Sequence, residues 1–149
     1  MALPGGYLLD TNILVHLVRR DALGRYLDAT YGFSTGVNAF VLSVVTVGEM
    51  FALAGKFGWE QSRRDALNDV LGKFAWVDVS DPDILVRYGE IDTASHAIGH
   101  KMGKNDVWIA ATASVTQTTI LTTDTDFDHL HPAWIDLERV DPTSKLPDP

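Results

Sequence analysis

Short, wholly apolar runs alternate along this chain with longer stretches in which apolar residues recur every three or four positions. Few patterns constrain a fold more. The brief runs read as buried strands and the longer stretches as amphipathic helices. Strand–helix alternation builds βαβ units, and these close as a parallel sheet with right-handed crossovers. The expected class is therefore α/β with a short, mainly parallel central sheet.

The predicted strands are Tyr7–Leu9, Ala39–Ser43, Ala75–Ser80, Thr119–Thr122 and, at an edge, Trp134–Val140. The predicted helices are Asn12–Arg20, Asp21–Thr30, Val44–Phe57 (ended by Gly58), Glu60–Phe74, a helix opened by Asp81 and Pro82 that runs to Ile98, and Asp106–Thr116. Tyr31–Asn38 is a Gly-rich connection, Gly99–Asn105 a basic, Gly-punctuated loop, and Asp124–Pro132 a loop or single helical turn. Residues 1–6 read as a leader outside the fold. Residues 141–149, with three prolines, read as a loose tail. One domain over 7–140 is left between them, without internal repeats.

The 149 residues suit a single domain with a real core. Hydrophobic residues at 46% and charged residues at 21% match an ordinary soluble globule. No apolar run reaches the ~18 residues of a membrane span. The start lacks the basic and apolar regions of a signal peptide. Without cysteine there is no disulfide or thiolate metal site, which suits the reducing cytoplasm. Charge sets a tension: twelve Lys and Arg against twenty Asp and Glu leave −8, the reverse of a generic nucleic-acid binder. Either the partner is not a polyanion, or the acids gather where metal ions neutralise them. A basic protein partner also suits such a surface.

The acids have a pattern. In open α/β sheets, ligands bind beyond the carboxyl ends of the strands. Asp10 closes the first strand in "YLLDTN". Glu49 lies among apolar neighbours in "LSVVTVGEM", on one side of its helix with Ser43 and Thr46. Asp106 begins a helix in "GKNDVWIAATA", and Asp124 and Asp126 follow the fourth strand in "ILTTDTDF". Four separated segments thus bring carboxylates to one rim, where they would repel one another if unneutralised. Clustered hard oxygens are what Mg²⁺ or Mn²⁺ needs. Two such ions ~4 Å apart can clamp a phosphodiester and activate a water for in-line attack.

The stretches "LLDTNILV", "SVVTVGE", "GKNDVWIAATA" and "LTTDTDF", spread from residue 8 to residue 127, together resemble PIN-domain ribonucleases, and most of all the VapC toxins of bacterial toxin–antitoxin pairs. The resemblance implies a three-layer α/β/α fold, metal-dependent endoribonuclease activity, a homodimer, and inhibition by a small antitoxin. It implies Asp10, Glu49 and Asp106 as the first three catalytic acids. Asp124 is favoured as the fourth, with Asp126 held close beside it. Asp10, Asp106 and Asp124 are the expected ligands of one or two Mg²⁺ or Mn²⁺ ions. Thr11, Asn12, Thr46, Asn105 and Thr122 match polar supporting positions, and Thr123 is an alternative to Thr122. Lys101, Lys104, Arg19 and Arg20 are candidates for RNA contact. Nothing in the sequence departs from the family at the four acids.

Blander readings stand beside these. "DTN" after a strand is good helix-capping chemistry. Asp106 suits a helix dipole, and "DTDFD" suits a solvated turn. Glu49 has no such explanation. His96 with His100, and His129 with His131, have spacings that zinc ligands use, but positions near a helix end and a turn favour simple polarity over a zinc centre. The four tryptophans fall on apolar patterns that suit core or interface. A receiver domain would need an acidic pair at the first strand, and a haloacid-type phosphatase would need Asp-x-Asp where this chain has Asp10-Thr11-Asn12. A catalytically inactive binding module of the same fold is the remaining alternative.

Overall fold

A computed structural model describes residues 2–149. The described residues form five strands and six α-helices: β1 Tyr7–Leu9, α1 Thr11–Arg19, α2 Ala22–Tyr31, β2 Phe40–Ser43, α3 Val44–Lys56, α4 Gln61–Gly72, β3 Ala75–Val77, α5 Pro82–Ala97, α6 Lys104–Thr116, β4 Thr119–Thr122 and β5 Asp136–Arg139. The sheet order is β3-β2-β1-β4-β5, and each neighbouring pair is parallel. The sheet is thus wholly rather than mainly parallel.

The layers follow from side-chain alternation in the strands. Leu8, Val41 and Ile120 point to one face, where they pack with Ile84 and Ile91 of α5 and Val107 and Ile109 of α6. Leu9, Leu42 and Leu121 point to the other, with Ile13, Leu14, Leu27, Met50 and Leu67 from α1 to α4. Both faces are covered, so the middle strands show no polar alternation. The result is the three-layer α/β/α arrangement. β1 lies at the centre with β4 beside it, and the chain reverses its direction of winding between them, so the switch point falls at the carboxyl ends of these two strands.

Several predicted boundaries move for local reasons. β3 stops at Val77 because Asp78 turns back to accept the Ser80 N–H at 2.9 Å. β5 begins at Asp136 because Trp134 and Ile135 donate their N–H groups to the Leu130 carbonyl in a tight turn. α5 ends at Ala97, so His100 leaves the helix and does not pair with His96; it stacks on His129 at 3.7 Å between ring centroids. Trp76, expected in core or interface, is half exposed, and its indole N–H caps the Leu71 carbonyl. At the amino end, Leu3 donates to the Thr116 carbonyl and packs against the α5–α6 core.

Candidate active site

β1 ends at Leu9, and Asp10 then serves as the N-cap of α1, its Oδ1 accepting the Thr11 N–H at 2.8 Å. A capping carboxylate normally faces water; this one is 4% exposed. Its second oxygen accepts the Thr122 hydroxyl at 2.8 Å and an Asn12 amide hydrogen at 3.2 Å. Thr122, fully buried at the end of β4, uses every site of its hydroxyl. It donates to Asp10 and accepts the Asp124 N–H at 3.0 Å and the Asn12 amide at 3.2 Å. Asn12 also reaches Asp124 Oδ2 at 3.1 Å, and its own oxygen accepts the Thr123 N–H at 3.2 Å. The ends of β1 and β4 are therefore tied by a polar knot with carboxylates on its outer side.

Glu49 comes from α3, which Ser43 caps through the Val45 N–H. Thr11 donates its hydroxyl to Glu49 Oε1 at 3.0 Å, linking α1 to α3. Asp106 lies in the first turn of α6, which starts two residues earlier than predicted. Asp10, Thr11, Asn12, Glu49, Asp106 and Asp124 line one cleft of about 250 Å³, closed on one side by Val15, His16 and Leu53.

The carboxylates feel one another across it. Burial pushes the Asp10 carboxyl up to about 6, against the pull of the Thr122 and Thr11 hydrogen bonds, and Asp124 and Glu49 add to the rise. The Asp106 carboxyl goes up to about 7, first through burial and then through the negative charges of Asp10, Asp126, Glu49 and Asp124. Charge crowding of this kind marks a site that wants either protons or cations.

Other candidates are placed differently. Asp126 is exposed and outside the cleft lining, but close enough to act on Asp106. Thr46 is fully buried one turn before Glu49, and its hydroxyl has no hydrogen-bond partner among the described residues. Asn105, Lys101 and Lys104 are exposed, and none lines the cleft. Arg19 and Arg20 end α1, eight and nine residues beyond Thr11 and so about 12 Å along the helix axis from it. Arg20 lines a separate cavity with Gly24, Phe33 and Phe74. His16 was not foreseen as a cleft residue. Its signal was spacing: one turn after Asn12 on α1, with Asp21 five residues on, whose carboxylate accepts from its Nδ1 at 2.7 Å.

A family model for the PIN domain matches residues 7–131, which hold the whole knot and all the acids of the cleft. The chain belongs to the PIN domain family. No curated protein matches the sequence. Among solved structures, this PIN domain is similar to VapBC2 from Rickettsia felis bound to a promoter DNA fragment, at 24% identity and a TM-score of 0.76, covering 91% of this chain and 98% of that one. It is similar to VapBC-1 from nontypeable Haemophilus influenzae at 20% identity and a TM-score of 0.71, covering 89% and 96%. It is similar to a toxin–antitoxin complex from Klebsiella pneumoniae at 26% identity and a TM-score of 0.61, covering 85% and 93%.

Proposed function

We propose that this PIN domain is a divalent-metal-dependent endoribonuclease of the VapC type, acting in the cytoplasm as a homodimer and neutralised by a partner antitoxin. The observation that carries the reading is one cleft lined by Asp10, Glu49, Asp106 and Asp124 from four separate segments, whose crowding with burial pushes the Asp106 carboxyl up to about 7. Similarity to VapBC and other toxin–antitoxin complexes supports the toxin part of the reading.

The donor set suits Mg²⁺ or Mn²⁺: hard carboxylate oxygens and no sulfur, with the imidazole that lines the cleft, His16, bonded to Asp21. Among the described residues no three His, Asp, Glu or Cys side chains close around one point. Mg²⁺ keeps several waters and can be held by one or two protein carboxylates beside substrate phosphate oxygens, so it does not require such a closed set. Asp10, Asp106 and Asp124 would hold one or two ions between them, with Glu49 beside them. When bound, the ion supplies Lewis-acid activation of water and charge neutralisation at the phosphate.

The chain's own residues do the rest. Thr122, Thr11 and Asn12 fix the rotamer of Asp10, so its free lone pairs stay aimed at the cleft. Asp106 carries a proton near neutrality and releases it as a cation arrives. Asn12 and the Asp124 N–H bond keep the β4 loop in register with Asp10. An Arg or Lys of an antitoxin would find here a ready set of carboxylate acceptors, which is a direct way to compete with metal.

The test is cleavage of a labelled structured RNA pool by partner-free protein with Mn²⁺, Mg²⁺ or EDTA, beside Asp106→Ala. The expected result is metal-dependent cutting that the variant loses, with 5′-phosphate and 3′-hydroxyl ends. Cyclic 2′,3′-phosphate ends would exclude water as the nucleophile. Metal binding without any cutting would favour the binding-module alternative.

A further inference from the structure

One turn beyond the cleft wall on both α1 and α3, side chains of opposite character meet. Val15 and Leu53 wall the cleft. Four residues on from each, Arg19 lies over the ring of Phe57, with its Cζ 4.7 Å from the centroid. Phe57 packs against Trp59 at 5.7 Å, and Arg63 of α4 lies over Trp59 at 5.8 Å. The four form a continuous row, guanidinium, ring, ring, guanidinium, leading away from the acids along the α1–α3 groove.

The row is built, not incidental. α3 ends at Lys56, and Gly58 follows with φ of +63°, a left-handed conformation that suits glycine. The turn then brings the Trp59 N–H back to the Ala54 carbonyl at 3.0 Å. Arg64 seals it from below, donating to the Trp59 carbonyl at 2.9 Å. Phe57 is nevertheless 45% exposed. In a chain of net charge −8, neither Arg19 nor Arg63 forms an ion pair among the described residues. Asp21, whose carboxyl feels the Arg19 charge, is hydrogen-bonded instead by His16 and the Gly24 N–H. Two cations without an ion pair, set over the exposed Phe57 ring and the half-buried Trp59 ring beside an acid cleft, complement a polyanion whose bases stack.

We propose that Arg19, Phe57, Trp59 and Arg63 form a stacking shelf for the bases of single-stranded RNA, adjoining the cleft. Phe57 and Trp59 take base faces, and the two guanidiniums take the flanking phosphates. The inference rests on the ribonuclease reading for its substrate class, and names where the strand lies on leaving the cleft. Stacking tolerates any base, so the shelf would give affinity and register without reading sequence.

The test compares two fluorescein-labelled 12-nucleotide single strands, one of mixed-base RNA and one of the same backbone without bases. Binding is measured in the Asp106→Asn background, which removes one carboxyl of the cleft and spares the probe. The mixed-base strand is expected to bind more tightly than the abasic one. Phe57→Ala and Trp59→Ala should each weaken it between about five-fold and about a hundred-fold, bringing it toward the abasic strand. Trp59→Phe should retain most of the affinity. Melting curves check that each variant folds. Equal binding of the two strands, no binding of either, or an unchanged affinity in Phe57→Ala overturns the shelf and leaves the row to a protein partner or to the turn itself. If the unmutated chain cuts no RNA yet binds bases through Phe57 and Trp59, the hydrolase reading fails and the shelf stands. If it cuts RNA while Phe57→Ala binds as its parent does, the shelf alone fails.

Discussion

The Asn12 amide lies between two carboxylates, 3.2 Å from Asp10 Oδ2 and 3.1 Å from Asp124 Oδ2. It holds apart groups that would otherwise repel, and it does so from the first turn of α1, where its backbone is already committed to the helix. The pair it bridges lies just past the ends of β1 and β4, more than a hundred positions apart in sequence, and the amide shares with the Thr122 hydroxyl the work of holding the two segments together.

Asn12→Asp keeps the shape and replaces the donors by a third carboxylate. Destabilisation of the metal-free protein by about 1–3 kcal/mol is expected, from the lost donors and the added repulsion. Urea denaturation in chelator measures it, and saturating Mn²⁺ should recover part of the loss. Equal stability of the two proteins in chelator would show that the amide bridge carries little.

Thr122→Val leaves Asp10 Oδ2 without its shortest donor and the Asp124 N–H without an acceptor. Because the hydroxyl orients a ligand instead of being one, a loss of about 10–100-fold in metal affinity is expected. Thr122→Ser keeps the hydroxyl and should stay near the parent.

Phe127 is fully buried in the α5–α6 face and anchors the loop that carries Asp124 and Asp126. Phe127→Ala should cost about 3–5 kcal/mol in urea denaturation. Proteolysis should then open the chain first between β4 and β5, because the loop loses its only large apolar anchor before the Leu130 turn.

The raised carboxyls of Asp10 and Asp106 make stability depend on pH. Each binds its proton more tightly folded than unfolded. The stabilisation is therefore fully present below the ordinary value of 3.8 and is lost as pH rises through about 6 for Asp10 and about 7 for Asp106. In chelator, the melting temperature should fall by a few degrees between about pH 5 and about pH 8. Mg²⁺ should restore more at the upper end than at the lower, and Asp106→Asn should flatten the profile.

Much of this was legible in the sequence. The alternation of "YLL", "FVLS" and "TILT" with 3.6-period stretches was enough for the α/β class, because strands buried on both faces must be apolar throughout. Asp10, Asp106 and Asp124 stood out through their places at strand and helix ends and Glu49 as an acid among apolar neighbours, and the cleft brings all four together. The knot around Thr122 was only partly visible, since a buried threonine at the end of a strand looks like any β-branched residue. Arg19 was a candidate for RNA contact, but nothing in the sequence joined it to Phe57, Trp59 and Arg63 in one row. It is made by a left-handed turn at Gly58 and by two helices packing side by side, which no local pattern encodes. Arg20 shows the converse: as a neighbour of Arg19 it looked equivalent, but the left-handed cap at φ of 53° turns it toward a different cavity.

The central claim is that the acid cleft is a divalent-cation site. Calorimetric titration of Mn²⁺ into partner-free protein, repeated in buffers of different ionisation enthalpy, tests it most directly. The expected result is saturable binding that releases protons, with more released near pH 6 than near pH 8 because Asp10 and Asp106 are then still partly protonated. Asp10→Asn should weaken the binding strongly. Absence of saturable binding, or binding that Asp10→Asn and Asp106→Asn leave untouched, would contradict the claim.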